Sequence, residues 1–404
     1  MQSLIKKIRN NPSFRSAVYY AVYWSVFGIY TPYMNLELSR RGFSGIEIGT
    51  IGSIRSFVIM LLAPVFARIA DRRQNRVKML SQFMGFAGIG VTLFMFPDNF
   101  PLLIAATVLM AITMAPLDSL SNSITVRMAN HYHLDFGRMT FWGAAAFSSI
   151  NLIGGLVWQQ VGFKWIYPAA GFFYLLVSLI AKTLDEPEAE QSVTEGEAPE
   201  EKKMAKIRFK PAILLFFAVY FLFNFAFLNA FSFTAPIFDQ RGASEFVIGL
   251  VGAIMGLGGM FVRRNSKYFY QKVSIENVLI ISIMMGIIPM VVYGLAKNIV
   301  VMVIFSVFRG VGWGLFSLSS VKYIDSQSSV QNASTLQSII IILATSSTIL
   351  SSPITGMLYD TNVNLIFAIS IVAALLSLVL MILVRRMQSN SIEVVEVQQE
   401  IITK

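Results

Sequence analysis

The chain has no cysteine and only two histidines. The first absence excludes disulfides and thiolate chemistry. The second leaves His131 and His133 in a loop with no third ligand nearby, so no metal site is expected. Charge is also scarce: 13% of the 404 residues are Asp, Glu, Lys or Arg, and only 22 are acids. Neither an HExxH pattern nor a GxxxxGK[ST] loop occurs, so a zinc protease and a phosphate-loop nucleotidase are not indicated. Gly154-Gly155 and Gly258-Gly259 lack flanking strands and read as packing glycines. With no clustered nucleophiles, no cofactor motif and no segment that reads as a folded soluble domain, an enzyme is not expected.

Apolar residues are abundant, at 55% of the chain. Runs of 18 or more recur from end to end, more than a soluble core needs, and each is long enough to cross a bilayer as a helix. The first run, from about Phe14, is followed by Tyr and Trp rather than a small-residue cleavage site, so no cleavable signal is expected. Twelve spans are read, at roughly 14–36, 46–69, 77–96, 101–126, 139–159, 165–183, 211–234, 246–265, 275–295, 299–321, 332–356 and 364–384. An even count puts both termini on one side. Taking that side as cytoplasmic places the great majority of the 32 Lys and Arg residues there, as the positive-inside rule requires. The net charge of +10 is thus explained by short basic loops rather than by nucleic acid. A multi-pass protein of the cell membrane, all-α, with both ends cytoplasmic and the lipid bilayer as its solvent, follows.

Two copies of one unit are visible. Arg41, Gly42, Ser44, Ile48, Gly49 and Gly52 recur as Arg241, Gly242, Ser244, Ile248, Gly249 and Gly252, all at an offset of 200. Residues 1–183 and 211–386 are therefore read as pseudo-symmetric six-helix halves. Between them lies a polar segment, 184–210, acidic from Asp185 to Glu201 and basic from Lys202 to Lys210. It reads as a cytoplasmic linker, either a plain tether or a regulatory element. Residues 387–404 read as a polar, frayed tail.

Ionisable residues inside spans are costly and mark function or pairing. Of the acids, only Asp118 lies well inside a span. It is the candidate proton carrier by elimination, the alternative being a hydrogen bond that ties span four to a neighbour. Arg55 and Arg309 leave a surplus of positive charge, which favours an organic anion, since a guanidinium grips a carboxylate bidentately. Alternatively, one arginine pairs with Asp118 and the other bonds helix carbonyls. Pro32, Pro64, Pro116 and Pro289 are candidate kinks.

The loop Ala67–Arg76, with Asp71-Arg72 and downstream Arg76, resembles the signature of the major facilitator superfamily between spans two and three, although Ala67 replaces the usual glycine. Gly28-Ile-Tyr-Thr-Pro-Tyr33, Asp135-Phe-Gly-Arg-Met-Thr-Phe-Trp-Gly143, Lys322-Tyr-Ile-Asp-Ser-Gln327 and Gly356-Met-Leu-Tyr-Asp360 resemble the branch holding lactose permease and the phenylpropionate and nucleoside transporters. Arg309 falls where that permease has its relay histidine, Gly312 where it has a coupling glutamate, the acid of its span eight falls at or near Gly256, and Thr140 replaces its sugar-binding arginine, so the same proton path is not implied. The resemblance implies a central cavity lined by spans one, four, seven and ten. Asp118 and Arg309 then face it, joined by Tyr30 and Asn35, Asn122, Asn224 and Asn229, and Trp313. It also implies a conformational switch of Asp71, Arg72 and Arg76, with Arg138 at the foot of span five as partner. The expected activity is secondary active transport of a small polar solute, an organic anion, by alternating access with a proton as coupled ion; a monomer suffices. A sugar or nucleoside symporter and a drug or lipid exporter are the alternatives.

Overall fold

A computed structural model of the chain describes residues 11–72, 75–186, 211–328 and 333–402, with side chains described except at 71, 72, 138, 267, 333, 334 and beyond 388. Among these residues the secondary structure is helical, without strands. Ten helices are long and apolar enough to cross a membrane. Span three, Arg76–Leu93, and span one, Pro12–Tyr30 continued by Met34–Arg40, complete the bundle. Both are more polar: Arg76, Lys78 and Gln82 open span three, and Arg15 with Tyr19, Tyr20 and Tyr23 fills the lower part of span one.

Local chemistry sets the helix ends. Asn11 caps span one by accepting from the Phe14 amide at 3.1 Å, with Pro12 at the first helical position. Asn99, Ser244, Ser274 and Asn298 cap spans four, eight, nine and ten in the same way. Spans one, four and seven are each broken once. Pro32 and Pro116 sit at two of these breaks, whereas the seventh span, Pro211–Phe231 then Thr234–Gln240, breaks at Ser232-Phe233. Pro64 and Pro289 lie inside continuous helices instead. The last helix runs from Val363 to Ile402, so residues beyond 386 are helical where a frayed tail is expected from their polarity.

The repeated segments form matching structures. Gly42 and Gly242 both adopt positive φ, +91° and +82°, which ends spans one and seven in a left-handed turn that glycine permits. Arg41 donates to the carbonyls of Phe94 and Pro97; Arg241 donates to those of Tyr293 and Ala296. Each repeat arginine thus staples the turn after the first span of its half to the end of the third.

The halves meet along two helix pairs, span two (Gly45–Arg72) with span eleven (Ala333–Thr361), and span five (Phe136–Val161) with span eight (Glu245–Lys272). Repeat glycines form both contacts. A Cβ on Gly49 would overlap the Ser352 carbonyl, and one on Gly249 would overlap the Asn151 carbonyl and lie 2.5 Å from Tyr33 Oη. Gly155 and Gly356 face the other helix of each pair in the same manner.

Candidate solute-binding site

A cavity of about 350 Å³ lies between the halves. Spans one, two, five, seven, eight, ten and eleven line it, through Thr31, Asn35, Arg55, Asn151, Thr234, Gly252, Arg309 and Ser352 among others. Span four contributes nothing to its wall, unlike the arrangement implied by the resemblance.

Two guanidiniums from opposite halves face this space. Arg55, ten residues into span two, approaches Met34 Sδ at 3.8 Å. Arg309 donates to Thr234 Oγ1 at 3.3 Å and lies over the Phe231 ring, 4.6 Å from its centre. Its Nε is buried without a hydrogen-bond partner. Among the described residues neither arginine has a carboxylate within ion-pairing distance. The expected alternative, in which Asp118 neutralises one of them, is therefore not what the structure contains. Asn35 also lines the cavity and donates across the halves to the Ser232 carbonyl at 2.8 Å.

Asp118 lies elsewhere. It opens the second part of span four, Leu117–His131, and is exposed. Tyr23 Oη of span one donates to its Oδ1 at 2.6 Å. Buried Tyr30 and Tyr174 interact electrostatically with both Asp118 and Arg55, but Asp118 is not part of the cavity wall. Tyr30 itself is buried and does not line the wall. Asn122 shares the exposed face of Asp118.

Three other expected site residues point into the protein. Asn224 donates to the Tyr220 carbonyl of its own helix at 2.7 Å. Asn229 is 0% exposed; it donates to Ile366 O and Ser370 Oγ and accepts from Thr355 Oγ1. Its hydrogen bonds are used up in tying span seven to spans eleven and twelve. Trp313 stacks on Phe227, ring centres 4.6 Å apart. These three, with Asp118, Asn122 and Tyr30, are not brought into the cavity.

The wall also holds a polar side chain outside the expected set. Asn151 of span five is 0% exposed to solvent; Nδ2 donates to the Phe147 carbonyl, while Oδ1 has no partner. Its signal in the sequence is an amide inside an apolar run, on a span other than the four that the resemblance implies line the cavity.

Far from the termini, the cavity is shut. Arg40 pairs with Asp239 at 2.5 Å and with Glu245 at 2.8 Å. Asp360, at the end of span eleven, accepts from the amides of Gly45 and Ile46, capping span two from the other half at 2.6 and 2.9 Å. Ser53 donates to the Ile349 carbonyl at 2.5 Å. Every hydrogen bond, ion pair and close glycine approach that joins the halves, among the described residues, lies from the level of Ser53 and Ser148 outward. Toward the end that carries Asn11 and Gln388, none does.

Of the expected switch residues, Arg76 is buried at the start of span three. Its Nη1 lies 3.5 Å from Ser123 Oγ, and Glu186 accepts from the amides of Arg76 and Val77. Asp71, Arg72 and Arg138 are helical, and their side chains lie outside the described residues.

The MFS_1 like family profile matches residues 14–369. The chain belongs to that transporter family. The transporter is 20% identical to the sucrose permease of Escherichia coli over 367 residues, 86% of this chain and 85% of the permease. It is 30% identical to the putative nucleoside transporter YegT of Escherichia coli strain K12 over 152 residues, 36% of this chain and 35% of that one. Its fold matches the crystal structure of the nucleoside transporter NupG with a TM-score of 0.74 at 13% identity, over 93% of this chain and 99% of that chain.

Proposed function

We propose that this major facilitator transporter carries a small carboxylate-bearing solute by alternating access, with a proton as the coupled ion. The observation that supports it is the pair Arg55 and Arg309, from opposite halves, facing one cavity with no carboxylate in ion-pairing distance among the described residues. An uncompensated guanidinium in a low-dielectric site is costly, and a solute carboxylate relieves that cost. The aromatic wall of Phe147, Phe231 and Phe233 suits an aromatic acid. By the positive-inside rule the open end is cytoplasmic, making this the inward-open state.

Asp118 is the proposed proton site. A carboxylate and an amide on one exposed helix face fit a water-filled vestibule better than lipid. Each proton moving down about 100 mV supplies roughly 2.3 kcal/mol, about fifty-fold in accumulation.

The test is thermal stabilisation of the purified protein by aromatic acids, aliphatic acids, nucleosides and sugars, at pH of about 5.5 and 7.5. Carboxylic acids are expected to raise Tm. Arg309→Gln and Arg55→Gln are each expected to weaken benzoate binding by about 10- to 100-fold, the equivalent of one charge-assisted hydrogen bond. Stabilisation by neutral solutes alone, unchanged in both variants, overturns the anion reading.

A second reading, a sugar or nucleoside proton symporter, is favoured by the names of the relatives and by the neutral hydrogen-bonding groups of the wall, Asn35, Asn151, Thr234, Thr348 and Ser352. The same panel separates the two.

A further inference from the structure

Arg263 also lies on a membrane-crossing stretch, Glu245–Ser266 of span eight. By the span lengths read from sequence it sits at the end of span eight, where basic residues serve as topology anchors. In the structure span eight continues to Lys272, which leaves Arg263 nine residues short of the helix end. Its guanidinium folds back along the helix: Nη1 lies 4.0 Å from where a Cβ on Gly259 would be, at the same distance from that point as the Gly310 carbonyl of span ten. Its side chain makes no hydrogen bond or ion pair with a described residue, and the residue is exposed.

Helical phase relates Arg263 to the cavity. Gly252 and Met255 of span eight line the wall. Arg263 follows Gly252 by eleven residues, about three turns, so both point in nearly the same direction some 16 Å apart along the axis. On the outward part of this face Gly252 and Gly256 pack against Asn151 and Ser148 of span five. Beyond Ser148 no hydrogen bond or close glycine approach joins this face to span five among the described residues, and Arg263 is exposed there.

We propose that Arg263 is a second anion-contacting position, on the path between the central cavity and the end bearing the termini. A solute carboxylate pauses there on its way between water and the Arg55–Arg309 pair. The proposal rests on the anion reading of the central cavity. A cationic group on the low-dielectric wall of a cleft raises the local concentration of anions and speeds their passage, an effect that salt screens. Arg264, one residue on, is turned about 100° away and serves as the control.

The experiment follows counterflow of radiolabelled benzoate in proteoliposomes, at low and high salt, beside equilibrium benzoate binding to the purified full chain. Arg263→Gln is expected to slow exchange by about 3- to 10-fold at low salt, with the deficit closing at high salt and the equilibrium affinity kept. Arg263→Lys and Arg264→Gln are expected to exchange as the unmodified protein does. If Arg263→Gln fails to fold, Arg263→Met against Arg263→Lys gives the same comparison. Unchanged rate and salt dependence in the uncharged variant overturns the proposal. So does a loss of equilibrium affinity as large as that of Arg309→Gln, which would make Arg263 part of the central site. Failure of the unmodified protein to bind benzoate overturns the anion reading first, and is told apart by needing no variant.

Discussion

Asn229 and Asn151 show how little an amide's position in an apolar run says about its use. Both are fully buried. Asn229 satisfies its carboxamide with three groups of spans eleven and twelve, whereas Asn151 keeps an unpartnered Oδ1 at the cavity wall. Asn229→Ala is expected to cost about 1–3 kcal/mol, because Thr355 Oγ1 and Ser370 Oγ lose a buried partner. Thermal unfolding of the purified variant measures this, with benzoate affinity unchanged. Asp118 lies outside the cavity wall and accepts a hydrogen bond from Tyr23. Asp118→Asn keeps the hydrogen bond from Tyr23 but cannot release a proton. It is expected to abolish uphill, proton-driven uptake while sparing benzoate counterflow. Loss of both activities in a folded variant would move Asp118 from coupling to solute binding or gating. Arg55 and Arg309 were legible in sequence because a charge in a membrane span is expensive wherever it points. The amides were not, since a neutral group is satisfied as readily by its own helix, as Asn224 is by Tyr220.

Among the elements, the glycine repeat forms a matched pair of close contacts between the halves. Gly49 and Gly249 let spans two and eight touch spans eleven and five through backbone, at equivalent places in the two contacts. Gly249→Ala is expected to wedge the far end apart at a cost of about 1–3 kcal/mol, shifting the balance about 5- to 150-fold toward a form open at that end. The cysteine-free chain allows nitroxide labels at Asp98→Cys and Lys297→Cys, both exposed at the far end, and the distance between them is expected to lengthen. The cap that Asp360 places on span two is a second hold on the same end. Asp360→Asn is expected to weaken it by about 0.5–2 kcal/mol, the range for a helix cap and a charge at a helix N-terminus. The same label pair reads it, and an unaltered distance distribution would remove Asp360 from the closure. The ion pairs of Arg40, which is 40% exposed, contribute less, about 0–1 kcal/mol each. The repeat itself was visible in the sequence, but its partners were not. Span five lies about 100 residues from span eight, and span eleven about 300 from span two.

At the scale of the whole molecule, the hydrogen bonds, ion pairs and close glycine approaches that join the halves lie toward one end among the described residues, the asymmetry that the proposed alternating access requires. Proposed domain bounds of 1–183 and 211–386 place the linker at 184–210, and all but its first three residues lie outside the described part. Two of those are anchored: Asp185 holds Arg15 and Tyr132, and Glu186 caps span three. If the remainder is a tether, the halves expressed as separate chains split within 187–210 are expected to co-purify and exchange benzoate. Failure of such a pair that nevertheless assembles would point to a regulatory linker. By itself the sequence determined the membrane class, the helical architecture and the duplication, because hydropathy and repeat identity are properties of the chain taken in order. Where the charges go was decided only by the tertiary structure. Whether Asp118 meets an arginine, which spans enclose the cavity and which end is closed all depend on the rotation and tilt of helices far apart in sequence, and no local pattern of residues encodes these.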